Sequence, residues 1–175
     1  MTNAVSMNRE KILTRADLAE HMHQRQQAGE RGVFTNGCFD LLHLGHICYL
    51  QEARALGDFL VLGLNSDESV RLLKGPTRPL VSEDERAEIL AALTCIDYVT
   101  IFPERTASTL IDVLQPAIYV KGADYATQPG SSTEPDLSKL PEAAHVLAYG
   151  GSIRLITYLP GHSTTELIAK IKRLP

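Results

Sequence analysis

The run Phe59-Leu60-Val61-Leu62-Gly63-Leu64 has no polar side chain anywhere in it. A strand with one wet face alternates apolar and polar residues. An unbroken apolar run of strand length is instead the mark of a strand covered on both faces, as in a parallel sheet. Parallel neighbours cannot be joined by a tight hairpin, so the chain must supply helical crossovers. It has room for them: 175 residues, 44% hydrophobic and 22% charged, suit one domain with a substantial core.

The crossovers are legible. Thr14 is placed to cap a first helix, with Asp17 at its positive end and Leu13 and Leu18 as a hydrophobic staple; Gly29 stops it after residue 28. Residues 32–36 form a first β-prone run, followed by a helix over 44–56. Ser82 and Glu85 open a further helix, over 82–93, with a capping box. Strands over 98–102 and 117–120 flank a helix over 107–114, and a last strand (153–159) precedes a last helix (164–173). Strand and helix thus alternate. The expected architecture is α/β, a Rossmann-like parallel sheet with helices on both faces, in one domain over 1–175 with a helical extension through residue 30. Residues 126–139, crowded with Thr, Gln, Pro, Gly and Ser, are expected to form an exposed mobile loop.

Charge and composition exclude several classes. A net charge of -4 does not suit a surface that tracks nucleic acid. No apolar run is long enough to span a bilayer, and the amino terminus has no apolar signal region, so a cytoplasmic protein is expected. Cys38, Cys48 and Cys95, odd in number and at no metal-ligand spacing, read as core thiols of a reducing compartment. Tyr49, Tyr98 and Tyr158 read as core, and His21, His23 and His145 as surface positions.

The chemistry concentrates at strand ends, where ligands of such sheets bind. From Thr35, Asn36, Gly37, Cys38, Phe39 and Asp40 to His43, Gly45 and His46, the chain passes from the end of the first strand to the start of a helix. Helix amino termini attract anions. Gly37 and Gly45 would let a phosphate approach the backbone, and His43 and His46 would add imidazole donors. A zinc site would need a third protein ligand, and none is evident. Ser163, Thr164 and Thr165 open the last helix; Ser163 and Glu166 suit a capping box, while the extra hydroxyls suit outer phosphates. Lys74, Arg78 and Arg86 are cations in or after a Gly/Pro-interrupted loop, and Arg86 shares a helical face with Ile89, Leu90 and Leu93. Asn65 and Asp67, with Lys121 and Asp124, complete the rim. Donors without a nucleophile–base pair point to phosphoryl chemistry by positioning.

These residues resemble a known family. Gly37-Cys38-Phe39-Asp40-Leu41-Leu42-His43-Leu44-Gly45-His46 is similar to the HxGH signature of the cytidylyltransferase-like nucleotidyltransferases, and Ser163-Thr164-Thr165 to their second phosphate motif. Asn65-Ser66-Asp67, Lys74-Gly75 with Arg78-Pro79, and Val120-Lys121-Gly122-Ala123-Asp124-Tyr125 resemble, more narrowly, the adenylyltransferases of D-glycero-β-D-manno-heptose 1-phosphate. The resemblance implies ATP and a sugar 1-phosphate as substrates, Mg²⁺ as cofactor, and ADP-heptose with pyrophosphate as products. It places His43, His46, Thr164 and Thr165 on the nucleotide phosphates, Lys74 and Arg86 near the reacting phosphates, and Lys121 and Asp124 near nucleotide or sugar. A homodimer is compatible with it, though no pattern in the residues demands one. Three alternatives stand beside it: a cytidylyltransferase for glycerol 3-phosphate or a similar alcohol phosphate, a non-catalytic nucleotide-binding module, and a metal-dependent hydrolase built on the two histidines.

Overall fold

A computed structural model describes residues 8–122, 139–157 and 159–174. Residues 126–138 of the expected loop 126–139 lie outside them, as do Asp124 and Tyr158. Five parallel strands, β1 (Gly32–Gly37), β2 (Phe59–Asn65), β3 (Tyr98–Phe102), β4 (Ile118–Gly122) and β5 (Ser152–Ile156), form one sheet in the order β3-β2-β1-β4-β5. Its helices are α1 (Arg15–Gln27), α2 (Leu44–Arg54), α3 (Asp67–Lys74), α4 (Glu83–Ala91), α5 (Ser108–Leu114), α6 (Ala143–Ala148) and α7 (Thr164–Ile171). No helix among the described residues is long and apolar enough to cross a membrane.

Two cores sandwich the sheet, one on each side. Val33, Leu60, Leu62, Leu64, Ile118 and Val120 face Tyr49, Leu50 and Ala53 of α2 and Ala87, Leu90 and Ala91 of α4. Phe34, Phe59, Val61, Phe102 and Tyr119 face α1, α5 and α6 through Leu18, Met22, Leu110, Ile111, Ala143 and Val146. Every residue of β2 is buried, which is why its sequence shows no alternation. The local start signals act as the sequence indicates. The Thr14 side chain accepts from the Asp17 N–H, and the Ser82–Glu85 capping box is complete in both directions.

The structure also departs from expectation. Helix α3 was not foreseen: its cap, Ser66, accepts from the Ser69 N–H, and the helix ends at Gly75 with φ 96°. It spans only eight residues, its first turn is polar, and of its apolar side chains Val70 is buried while Leu72 and Leu73 are exposed. The last strand stops at Ile156 rather than 159, and α2, α4 and α7 end a turn or less before the expected limits. The cysteines divide: Cys48 is exposed and Cys38 half-buried, whereas Cys95 is half-buried and packs against the core on the α2 and α4 side of the sheet. Tyr98 is also only half-buried.

Gly57 joins α2 to β2 beneath β1. A Cβ there would lie 2.5 Å from the Arg31 carbonyl oxygen and 2.7 Å from Val33 Cγ2. The first neighbour is backbone and cannot rotate away. Gly57→Ala is therefore expected to destabilise by roughly 1–3 kcal/mol through overpacking, seen as a lower urea midpoint at unchanged denaturant slope.

Candidate active site

At the end of β1 the backbone makes an unusual turn. Phe39 (φ 46°) and Leu41 (φ 54°) both adopt left-handed conformations without being glycine, a strain that folded proteins concentrate at functional sites. The turn delivers His43 as the residue preceding α2, and His46 one turn inside it. Their rings stack with centroids 3.8 Å apart, and Phe39 packs against His46 at 5.3 Å. Both Nδ1 atoms are buried and, among the described residues, have no hydrogen-bond partner. Burial, and then the neighbouring His43, lowers the His46 pKa to about 4. Burial and His162 also lower that of His43, against an opposing pull from Glu166. Two neutral imidazoles with unmet hydrogen-bonding capacity thus share the amino end of a helix.

The two glycines of the motif have a different role from the expected phosphate approach. A Cβ on Gly45 would lie 2.9 Å from the His162 carbonyl oxygen, and one on Gly37 would lie 2.9 Å from the Phe39 ring. Their bareness lets the protein pack against itself, and at Gly45 it admits the segment leading into α7.

Asp40 and Arg78 were expected on the nucleotide, yet the structure pairs them with each other. The Asp40 carboxylate, 2% exposed as a residue, accepts from Arg78 Nε at 2.7 Å and Nη2 at 2.6 Å, from the Leu80 N–H at 2.9 Å and from the Val81 N–H at 3.1 Å. Its backbone carbonyl accepts the Thr164 hydroxyl at 3.0 Å, anchoring α7. Ser163 caps α7, accepting from the Glu166 N–H at 3.1 Å and donating to its carboxylate at 2.9 Å, while Thr165 is exposed beside it.

Arg86 is brought to the site but turned into the protein. Its guanidinium donates to the carbonyls of Val81 (2.9 Å), Cys38 (2.6 Å) and Asn65 (3.0 Å) and to Asp67 Oδ1 (2.6 Å). The anion that its place in an apolar stripe calls for is Asp67. Ile89, expected on the same face, is exposed. The Asn65 amide donates to Ser69 Oγ at 2.9 Å. Thr35 is also committed inward: fully buried, its hydroxyl meets Tyr49 Oη at 2.7 Å and the Val120 carbonyl at 3.0 Å. Lys74 is exposed at the end of α3. Burial raises the Cys38 thiol pKa, opposed by Lys74, Arg86, Lys121 and Arg78, so these cations all act on the same loop.

Sequence reasoning passed over Glu142 and His162. Glu142, 3% exposed, accepts the Ala107 N–H at 3.1 Å, and nothing in its surroundings in sequence marks a buried acid. His162 was legible, since it immediately precedes Ser163. Among the described residues no group of three or more His, Cys, Asp or Glu could hold a metal ion.

A model of the family described as Cytidylyltransferase-like matches residues 34–170, a span that contains both histidines and the Ser163–Thr165 run. The chain belongs to this family. It is 54% identical over 161 residues, 92% of its length, to a protein named "Bifunctional protein HldE" from Syntrophotalea carbinolica, and 52% identical over 93% of its length to the protein of that name from Geobacter metallireducens. Each match covers 31% of the relative, so the chain spans about a third of the length of these proteins. A solved structure, the lipopolysaccharide core biosynthesis protein from Thermoplasma volcanium, superposes with a TM-score of 0.57 at 27% identity, covering 75% of this chain and 98% of that one.

The depressed histidines make stability depend on pH. An unfolded histidine titrates near 6.5, and His46 in the fold near 4. Between those values the unfolded chain holds the extra proton, so stability is full above about 6.5 and is lost as pH falls towards 4. Urea unfolding at pH 7.5 and 4.5 should show a smaller loss in His46→Gln than in the wild type.

Proposed function

We propose that the protein is an adenylyltransferase that joins ATP to D-glycero-β-D-manno-heptose 1-phosphate, giving ADP-heptose and pyrophosphate. The observation that carries the nucleotidyl-transfer part is the stacked His43–His46 pair, with its unpartnered Nδ1 atoms at the start of α2. A polyphosphate offers many acceptor oxygens in one place, and its charge would raise the depressed imidazole pKa values, turning weak donors into charged ones. The helix amino terminus adds N–H groups and a favourable dipole. The choice of ATP and of a heptose phosphate is supported by the motif resemblance and by identity above 50% to the proteins named HldE. The neighbour named for lipopolysaccharide core biosynthesis agrees with a sugar acceptor.

In the proposed reaction an oxygen of the sugar phosphate attacks the α-phosphorus of ATP. A new P–O bond forms, the bond to the bridging α–β oxygen breaks, and pyrophosphate leaves with the electron pair. A phosphate monoester has its second pKa near 6, so the attacking oxygen is already ionised at neutral pH and needs no general base. What the protein supplies is placement and charge. His43 and His46 neutralise the leaving phosphates, and Lys74 stands exposed at the rim. Asp40, Arg78, Asp67 and Arg86 hold the loops that carry these groups. Mg²⁺ would arrive on the phosphate oxygens of ATP and screen their charge, since the described residues offer no cluster to hold it alone.

The test is pyrophosphate release with ATP or CTP, each paired with heptose 1-phosphate or glycerol 3-phosphate. Release is expected with ATP and the heptose phosphate. His46→Ala should lower turnover by about 10²–10³-fold, as for loss of a transition-state donor, with the melting temperature nearly kept. Release only with CTP and glycerol 3-phosphate would replace the substrates, and near-normal turnover in His46→Ala would remove the mechanism.

A further inference from the structure

The strand order β3-β2-β1-β4-β5 changes direction at β1: the chain builds outward to β2 and β3, then returns to β1's other side for β4 and β5. At such a switch the loops part on either side and leave a crevice at the carboxyl ends, where open α/β sheets bind ligands. Thr35 pairs with Val120 across this boundary, so Asn36 and Lys121 meet at its mouth. Lys121 Nζ donates to Asn36 Oδ1 at 2.8 Å, and the Tyr119 hydroxyl donates to the same oxygen at 2.7 Å. Two donors on Oδ1 fix the orientation of the amide, which leaves its NH₂ group on the side away from them. The ammonium has three hydrogens; two serve Asn36, at Oδ1 and at the backbone carbonyl (3.4 Å), so among the described residues it keeps one donor to spare.

A desolvated cation ordinarily meets a carboxylate. Among the described residues, the hydrogen bonds of Lys121 go only to Asn36, a neutral partner. Burial pulls its ammonium below the usual lysine value, with Glu142 and Cys38 acting the other way. Glu142 is the acid on that side, and its Oε1 is taken by the Ala107 N–H. The arrangement is a cluster of donors in want of an anion.

Its side of the sheet matters. Alternation puts Asn36 and Lys121 on the face of Phe34 and Tyr119, which α1, α5 and α6 cover. The histidine pair stands at the start of α2, which packs on the opposite face. In-line transfer requires the attacking and leaving oxygens to lie on opposite sides of the α-phosphorus. With the outer phosphates at the histidines, the attacking phosphate arrives from the other face.

We propose that Lys121 and Asn36 form the subsite for the phosphate monoester of the acceptor, with Tyr119 as a positioning residue that orients Asn36. This rests on the nucleotidyl-transfer reading above, and the test separates the two. Inorganic phosphate is titrated calorimetrically onto the full chain saturated with a non-hydrolysable ATP analogue. The wild type should bind it, and Lys121→Met should weaken it by roughly 10- to 100-fold, the effect of losing one charged hydrogen bond, while binding the analogue as tightly as before. Lys121→Arg, which keeps the charge, should retain most of the phosphate affinity and so exclude misfolding. Tyr119→Phe should raise KM for the sugar phosphate and leave KM for ATP unchanged. Equal phosphate affinity in wild type and Lys121→Met, or loss of the analogue in place of phosphate, would overturn the subsite. Phosphate binding that depends on Lys121 in a chain releasing no pyrophosphate would keep the subsite and discard the transfer reading.

Discussion

Asp40 carries its charge in the interior, and an uncompensated carboxylate there would not be tolerated. Four hydrogen bonds offset the burial, two from Arg78 and one each from the Leu80 and Val81 amides. Through its carbonyl the same residue receives Thr164 from the last helix. Three segments far apart in sequence (the turn after β1, the loop before α4 and the start of α7) are thus referred to one residue. The left-handed turn at Phe39 and Leu41 flanks it on both sides. The stacked histidines stand where they do because this anchor fixes the turn that leads to them.

Arg86 does the same work one layer deeper. It gathers the carbonyls of Cys38, Asn65 and Val81 and the carboxylate of Asp67, so that the ends of β1 and β2 and the start of α3 keep a common spacing. The two ion pairs differ from surface pairs in consequence. In each, one partner is fully buried and hydrogen-bonded on several sides, so that removing the half-buried partner leaves it stranded. The cations of the site therefore divide by role: Arg78 and Arg86 are paired with buried or half-buried carboxylates, Lys121 hydrogen-bonds only to the neutral Asn36 among the described residues, and Lys74 is exposed.

What the sequence revealed follows from the range of each signal. The caps at Thr14, Ser82 and Ser163 are local, four-residue patterns, and they were legible because their partners lie three residues away. The apolar run of β2 was equally plain, since burial on both faces leaves a continuous trace. The motif from Thr35 to His46 is likewise local, running unbroken from the end of β1 into α2. The partners of Asp40, Arg86 and Thr35 were not legible, because apart from the Arg86 bond to Val81, five positions away, they lie 14 to 124 positions distant, and residue type alone says that a charge must be satisfied without saying by what. The glycines misled for a related reason. A bare position signals close approach, and the approaching group at Gly45 is the protein's own backbone. Helix α3 escaped because it is only eight residues long and lies between a strand and a Gly/Pro-interrupted loop.

The last helix has no buried residue. Its hold on the body includes the Thr164 bond to Asp40, the close fit of His162 over Gly45 and the half-buried Leu167 and Ile168. An element with so little apolar anchorage opens at low free energy, well below global unfolding. One wall of the site is then as rigid as the sheet, and the other is a tethered flap. By linkage, any anion that touches both walls favours the closed arrangement to the extent that it binds it more tightly. Its departure lets the flap loosen again, so the state of the last helix is a readout of occupancy written into the carboxyl-terminal segment of the chain.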